Sequence, residues 1–296
     1  MFALLKPEYL FRPSQIFRRL FPPAPSSDGF TSAWMPGGCR IRVNPDDDLG
    51  RALLHLGVFD LIVTETIWRL ADPGEGVADV GANIGYMSLV LAARVAPNGN
   101  VWCFEPHPTL FKELSANCDR GSQSFGGVRF HARQLGVSDS AGQLKLLVFD
   151  ETSKNRGTSA LISSDEEASG STISVNVALL DEIVPPDTAL GVMKIDVEGH
   201  ELAVLKGARR LLESRRVRDI VFEEHREYPT DVTNYLEHAG MRVFRLHRDF
   251  FGPRLLAPNA TTARSTWIAT SFLATFDTAR AEARFKARGW RCLQRS

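Results

Sequence analysis

Two short stretches carry residues whose types and spacing could do chemistry. The first is Asp79-Val-Gly81-Ala-Asn83-Ile-Gly85, with Glu105 twenty residues beyond Gly85 at the end of Val101-Trp-Cys-Phe104. Gly81 and Gly85 let a backbone turn sharply and approach a ligand with no Cβ in the way. A carboxylate about 20 residues after such a turn can accept hydrogen bonds from both hydroxyls of a ribose. Alone, a glutamate at a strand end is an ordinary surface residue, and it is the pairing with the turn that favours the ribose role. The second stretch is Gly191-Val-Met-Lys194-Ile-Asp196-Val-Glu198-Gly199-His200-Glu201. As a strand it sets Met193, Ile195 and Val197 on one face and Lys194, Asp196 and Glu198 on the other. A central strand should be apolar on both faces. Three charges there oppose the fold unless they neutralise one another or serve a site, and the glycine turn at Gly199 favours a site.

Alternating strands and helices must position these residues. Val77–Val80 reads as a buried strand, and Ile84, Met87, Ser88, Leu89, Leu91 and Ala92 follow at helical spacing. Strands are expected at Val101–Glu105, Val128–Ala132, Leu144–Phe149, Ile173–Val177, through Met193–Val197, at Asp219–His225 and at Met241–Leu246. Helices are expected from Pro108 to about Asp119, along Leu202, Leu205, Ala208 and Leu211, and from Thr230 to Ala239. The alternation predicts a doubly wound α/β sheet. A helix from about Leu53 to Leu70 precedes it, and the polar stretch Asp150 to Thr172 is either a lid or a solvated loop. Trp267, Phe272, Leu273, Phe276 and Phe285 suggest helix in a basic tail. The expected organisation is an extension over 1–50, a leading helix over 51–76, a domain over 77–247 and a C-terminal extension over 248–296.

Composition narrows the class. The chain has 296 residues, 44% apolar content and zero formal net charge, enough for a full core and no support for nucleic-acid binding. Cys39, Cys103, Cys118 and Cys292 show no close pairing, which argues against zinc or a disulfide framework and for a reducing, cytoplasmic setting. No apolar run reaches the roughly 18 residues of a membrane span. In the N-terminal extension, Leu10, Phe11, Ile16, Phe17, Leu20 and Phe21 alternate with Lys6, Arg12, Arg18 and Arg19 between prolines. Packing on the domain is the favoured reading, and a basic amphipathic contact with a membrane surface is the disfavoured one.

The cofactor must contain a ribose and bind at the first strand, which leaves a nicotinamide dinucleotide or S-adenosyl-L-methionine. The dinucleotide fingerprint needs a second glycine where the pyrophosphate approaches; here that position is Asn83. Asp79 ahead of the turn suits the amino group of a methionine moiety. The residues therefore favour S-adenosylmethionine over NAD, with an NAD-dependent oxidoreductase or an inactive cofactor-binding module as alternatives.

Asp79-Val-Gly-Ala-Asn-Ile-Gly85, Phe104-Glu-Pro106, Val137-Ser-Asp139, Leu180-Asp181, Lys194-Ile-Asp-Val-Glu-Gly199 with Glu201, and Val204-Leu-Lys-Gly-Ala208 resemble the FkbM family of S-adenosylmethionine-dependent methyltransferases. The resemblance covers about Val77 to Leu246 and leaves both ends outside, with His200 and His225 at family-variable places. It implies a class I methyltransferase (Rossmann-like) fold with a seven-stranded sheet, and O-methylation of a hydroxyl on a sugar, polyketide or other small metabolite. By the same resemblance Asp79, Gly81, Asn83 and Gly85 would line the methionine side, Glu105 the ribose, and Gly136, Val137 and Ser138 the adenine. Such a transfer needs an aligned acceptor oxygen and a group to take its proton. Asp196 is the first choice, Glu198 the next, and His200 and His225 are alternative bases. Lys194 would hold the acceptor oxygen or pair with Asp196. Asp196, Glu198 and Glu201 could bind a divalent cation, but acids at a helix start equally complement its dipole, so no metal is assigned.

Overall fold

The computed structural model describes residues 6–148, 160–162, 171–261 and 270–294. Most of the polar stretch over Asp150 to Thr172, and Trp267, lie outside the described residues. In chain order the elements are α1 (Pro7–Leu10), α2 (Ser14–Leu20), β1 (Thr31–Trp34), β2 (Arg40–Val43), α3 (Asp48–Leu56), α4 (Leu61–Leu70), β3 (Gly76–Val80), α5 (Tyr86–Val95), β4 (Asn100–Phe104), α6 (Pro108–Ser124) and β5 (Arg129–Arg133). A small mixed sheet follows with β6 (Gly136–Val137), β7 (Gly142–Val148), β8 (Ala160–Ile162) and β9 (Ser171–Ala178), in which β6 runs parallel to β9 and β7 antiparallel to β8 and β9. The chain then runs through α7 (Leu180–Ile183), β10 (Leu190–Ile195), α8 (Glu201–Gly207), α9 (Arg209–Glu213), β11 (Val217–Glu224) and α10 (Asp231–His238). It ends with β12 (Arg242–Asp249), β13 (Gly252–Leu256), β14 (Thr270–Thr275) and α11 (Thr278–Lys286), before a short helical turn at Arg291–Leu293.

The main sheet has the order β13-β12-β14-β11-β10-β3-β4-β5. Neighbours from β11 to β5 are parallel, and β14 runs antiparallel to both β11 and β12. Seven strands form the expected doubly wound sheet, and β13 adds an eighth at the edge through a hairpin with β12. Alternation along the strands feeds two cores. Val77, Val101, Cys103, Val192 and Val221 face α4, α5 and α6, while Ala78, Val80, Phe104, Met193, Ile195 and Phe222 face α8, α9 and α10. This is what strands buried on both faces require.

Three expectations change. The single helix from Leu53 to Leu70 is two, α3 and α4. Gly57 takes a left-handed φ of 71°, and Asp60, also left-handed at φ 40°, caps α4 by accepting the Val63 N–H at 3.2 Å. Phe272 and Leu273 lie in β14 rather than a helix, because that strand fills the gap between β11 and β12; helix begins only at Thr278. The boundary at 247 therefore cuts through the sheet, and residues assigned to a C-terminal extension are part of its middle. At the N-terminus, Tyr9 and Gln15 are buried, and Gln15 Nε2 donates to the Leu54 carbonyl at 2.8 Å, packing α2 on α3. Among the described residues no helix is long and apolar enough to cross a membrane.

Candidate active site

The strand order reverses between β3 and β10, and both chemistry-bearing stretches leave the sheet there. Ligands in open α/β sheets bind outside the carboxyl ends of the strands at such a switch point. A cavity opens at this place, lined by Gly81, Asn83, Glu105, Gly136, Val137, Lys194, Asp196 and Glu198 together with Phe59, Asp60, Tyr86 and Glu223.

The glycine turn is built for packing as much as for a ligand. Gly81 has φ 78°, and a Cβ there would fall 1.9 Å from the Asp196 carbonyl oxygen, so the two functional turns touch through it. Gly85 (φ 91°) lies outside the cavity lining; a Cβ would meet Leu114 of α6 at 2.8 Å. Asn83 holds the left-handed conformation between them (φ 50°), its Oδ1 accepting the Ile84 N–H at 2.7 Å. Its own N–H donates to Glu105 Oε2 at 2.8 Å, and the His107 N–H donates to Oε1 at 2.8 Å. Glu105 is thus fixed beside the turn with lone pairs to spare. Burial pushes its carboxyl up to about 7 against the opposing effect of those N–H donors.

The charged face of the second stretch resolves into a network. Lys194 stands directly opposite Asp79 in the β10–β3 register. Its Nζ lies 3.4 Å from Asp79 Oδ1 and 3.3 Å from Asp196 Oδ2, and donates to the Gly81 carbonyl at 3.0 Å. Burial alone would lower its pKa, but Asp196, Asp79 and Glu223 outweigh it and hold Lys194 above the ordinary lysine value. It is a fixed cation, not a base. Asp79 is fully buried, bonded by Ser88 Oγ at 2.6 Å, and does not line the cavity. Asp79 thus balances Lys194 from behind the cavity lining. Strand β10 ends at Ile195, so Asp196 and Glu198 sit on a turn rather than on the strand face expected for them, with Glu198 left-handed at φ 47°. Burial and then the Asp196 charge raise the Glu198 carboxyl, while His225 Nε2, 3.4 Å away, opposes them.

The structure does not bring Ser138 or His200 to the cavity. They bond each other, Oγ to Nε2 at 3.0 Å, at the start of α8, and burial lowers the His200 pKa. His225 also stands off the lining and reaches it only through Glu198.

Two residues not singled out from sequence do line the cavity. Asp60 at the cap of α4 hydrogen-bonds Glu223 at the end of β11. Burial, then Asp196 and Asp60, push Glu223 up to about 9, and burial raises Asp60 as well. The pair keeps a proton at neutral pH. Glu223 belongs to the polar carboxyl end of its strand, visible in sequence. Asp60 was hidden by reading Leu53 to Leu70 as one helix, although Asp before Leu61-Ile-Val is an N-cap signal. Among the described residues no group of three or more His, Cys, Asp or Glu side chains is arranged to hold a metal ion.

Comparison with known proteins adds to this geometry. The model of the methyltransferase FkbM domain matches residues 79–243. Hexuronic acid methyltransferase AglP of Haloferax volcanii is 31% identical over 210 residues, 64% of this chain and 81% of that protein. The 31-O-demethyl-FK506 methyltransferase FkbM of Streptomyces tacrolimicus is 29% identical over 179 residues, 52% of this chain and 66% of that protein. A solved structure of methyltransferase FkbM from Methylobacillus flagellatus has 19% identity and a TM-score of 0.46, covering 69% of this chain and 44% of that one. With the family match running from Asp79 in β3 to Val243 in β12, over more than half of the sequence, the chain belongs to the FkbM methyltransferase family.

Proposed function

We propose that this chain O-methylates a hydroxyl of a small acceptor, using S-adenosylmethionine as donor. One observation carries the reading: a single cavity holds two chemically distinct groups joined through Lys194, the Gly81–Asn83 turn with Glu105 and the carboxyl set Asp196, Glu198, Asp60 and Glu223. The first group fits the cofactor. Glu105 has free lone pairs for two ribose hydroxyls, Pro106, Leu110, Leu135 and Val137 give apolar walls for a planar base, and Asn83 stands where a pyrophosphate would need glycine. When bound, S-adenosylmethionine supplies a methyl group already activated on a sulfonium.

The chain's residues have two tasks, to align the acceptor oxygen and to take its proton. Asp196 Oδ2 is turned to Lys194, which leaves Oδ1 to accept the hydroxyl proton. The Asp60–Glu223 pair, its proton held between the two carboxyls, offers a neighbouring hydroxyl its remaining acceptor oxygens. Relatives named for a hexuronic acid and for a 31-O-demethyl compound agree with an oxygen on a small molecule as target. Incubation with methyl-labelled S-adenosylmethionine and a metabolite extract, followed by mass spectrometry, tests the reading, and no labelled product would overturn it. Asp196→Ala should keep cofactor affinity while turnover falls about 10²–10⁴-fold; retained turnover removes Asp196 from its role. Titrating NADH beside S-adenosylmethionine excludes the oxidoreductase alternative if only the latter binds.

A further inference from the structure

Helices α1 and α2 are packed on one side and open on the other. Tyr9 and Gln15 are buried, and Glu8, also buried, pairs with Arg248 at 2.9 Å. On the open side Leu10, Phe17, Leu20 and Phe21 are 59, 66, 67 and 65% exposed. Among the described residues only one other large apolar side chain, Phe251, stands out to this degree, so the exposure is concentrated rather than scattered. The Phe17 and Phe21 rings lie 4.8 Å apart and form one surface. The same segment carries Lys6, Arg12, Arg18 and Arg19, and its one acid, Glu8, is turned inward. Arg19 donates to the Tyr9 hydroxyl, a bond that orients the guanidinium group without cancelling its charge. The result is an apolar patch with a basic collar. Basic residues attract anionic headgroups, while exposed Phe and Leu insert at the acyl boundary.

We propose that this face docks on an anionic phospholipid surface. Phe17, Leu20 and Phe21 enter the interface, Lys6 and Arg19 meet the headgroups, and the chain stays peripheral. A second copy of the chain would have to set the same cationic collar against itself in a two-fold contact, which disfavours self-association through this face. The patch adjoins the cavity, because Gln15 and Arg12 pack beneath Gly57 and the turn that follows supplies Phe59 and Asp60 to the cavity wall.

Sedimentation of the full chain with phosphatidylcholine vesicles, with and without phosphatidylglycerol, tests the proposal independently of any acceptor. Binding is expected only with phosphatidylglycerol, to weaken with salt, and to fall about tenfold or more in the Phe17→Ser/Phe21→Ser double variant. Circular dichroism and thermal melting matching wild type would show that variant folded; should it fail to fold, Lys6→Glu/Arg19→Glu replaces it with the same expectation. Absence of wild-type sedimentation with phosphatidylglycerol, equal sedimentation with phosphatidylcholine alone, or dimers in light scattering that the double variant abolishes would each overturn it.

Discussion

Lys194 ties the Gly81 turn to Asp79 and Asp196, and its removal should cost more than a surface charge. Lys194→Met leaves Asp79 buried beside Ser88 with no cation, and breaking a buried pair in this way typically costs about 3–5 kcal/mol. Urea unfolding at pH 7 checks this, and the Asp79→Asn/Lys194→Met double variant should recover part of the loss. Glu105 gives a pH signature. Its folded value of about 7 lies above the ordinary 4.5, so the folded state binds more protons between those values. Stability from this group is full below about 4.5 and lost as pH rises through 7, roughly 3 kcal/mol in all. Cofactor affinity should move the other way, because only the carboxylate accepts from both ribose hydroxyls. Calorimetric titration should show S-adenosylmethionine binding tighten from pH 6 to pH 8, and Glu105→Gln should flatten the profile. The placement of these residues was half legible in sequence. Spacing identified Glu105, Lys194 and Asp196, but burial decides which acid faces the cavity, and that moved Asp79 behind the wall and brought Glu223 forward.

At the scale of elements, α4 joins the site to the end of the chain. Its first residue is preceded by Asp60 at the cavity, and its last turns carry the fully buried pair Glu65–Arg69. Arg69 donates to the carbonyls of Arg284, Ala287 and Gly289 at 2.7, 2.8 and 2.7 Å, and Glu65 accepts the Arg291 and Cys292 N–H groups at 2.9 and 2.8 Å. Glu65 and Arg69 stand four residues apart, a spacing that on an exposed helix face makes only an ordinary surface pair. Only the returning tail makes them a buried clamp, and a non-local contact of that kind leaves no periodic trace. Arg69→Met should therefore destabilise by about 3–5 kcal/mol, far beyond the few tenths of an exposed helical pair. Arg69→Lys should lose most of the same amount, since an ammonium cannot span three carbonyls as a planar fork does. Denaturant unfolding distinguishes the buried from the exposed reading directly.

For the whole molecule, the parallel half of the sheet was legible because β3, β4, β10 and β11 each carry an apolar run that leads into a helix. The antiparallel end was not. Strand β14 follows β12 and β13 in the chain yet lies between β11 and β12 in space, and a short apolar run such as Ser271-Phe-Leu-Ala274 does not separate strand from helix by periodicity. Its insertion makes the last residues part of the fold's centre. Asp219 in β11 is buried, accepting Thr275 Oγ1 at 2.6 Å and pairing with Arg218 at 2.9 Å and Arg280 at 3.1 Å, while Arg280 and Arg284 also hold Asp72 before β3. A chain ended at residue 247 would keep the matched FkbM segment but lose β14, α11 and every one of those tail partners. Strands β11 and β12 would face each other across a missing strand, with their backbone groups unpaired. We expect that truncation to show no cooperative thermal transition and no stabilisation by S-adenosylmethionine, whereas the full chain should gain about 2.7 kcal/mol at a hundredfold excess of cofactor over its dissociation constant. Melting of both chains with and without cofactor is the test. A cooperative, cofactor-stabilised truncation would mean that residues 1–247 fold as a unit without the inserted strand.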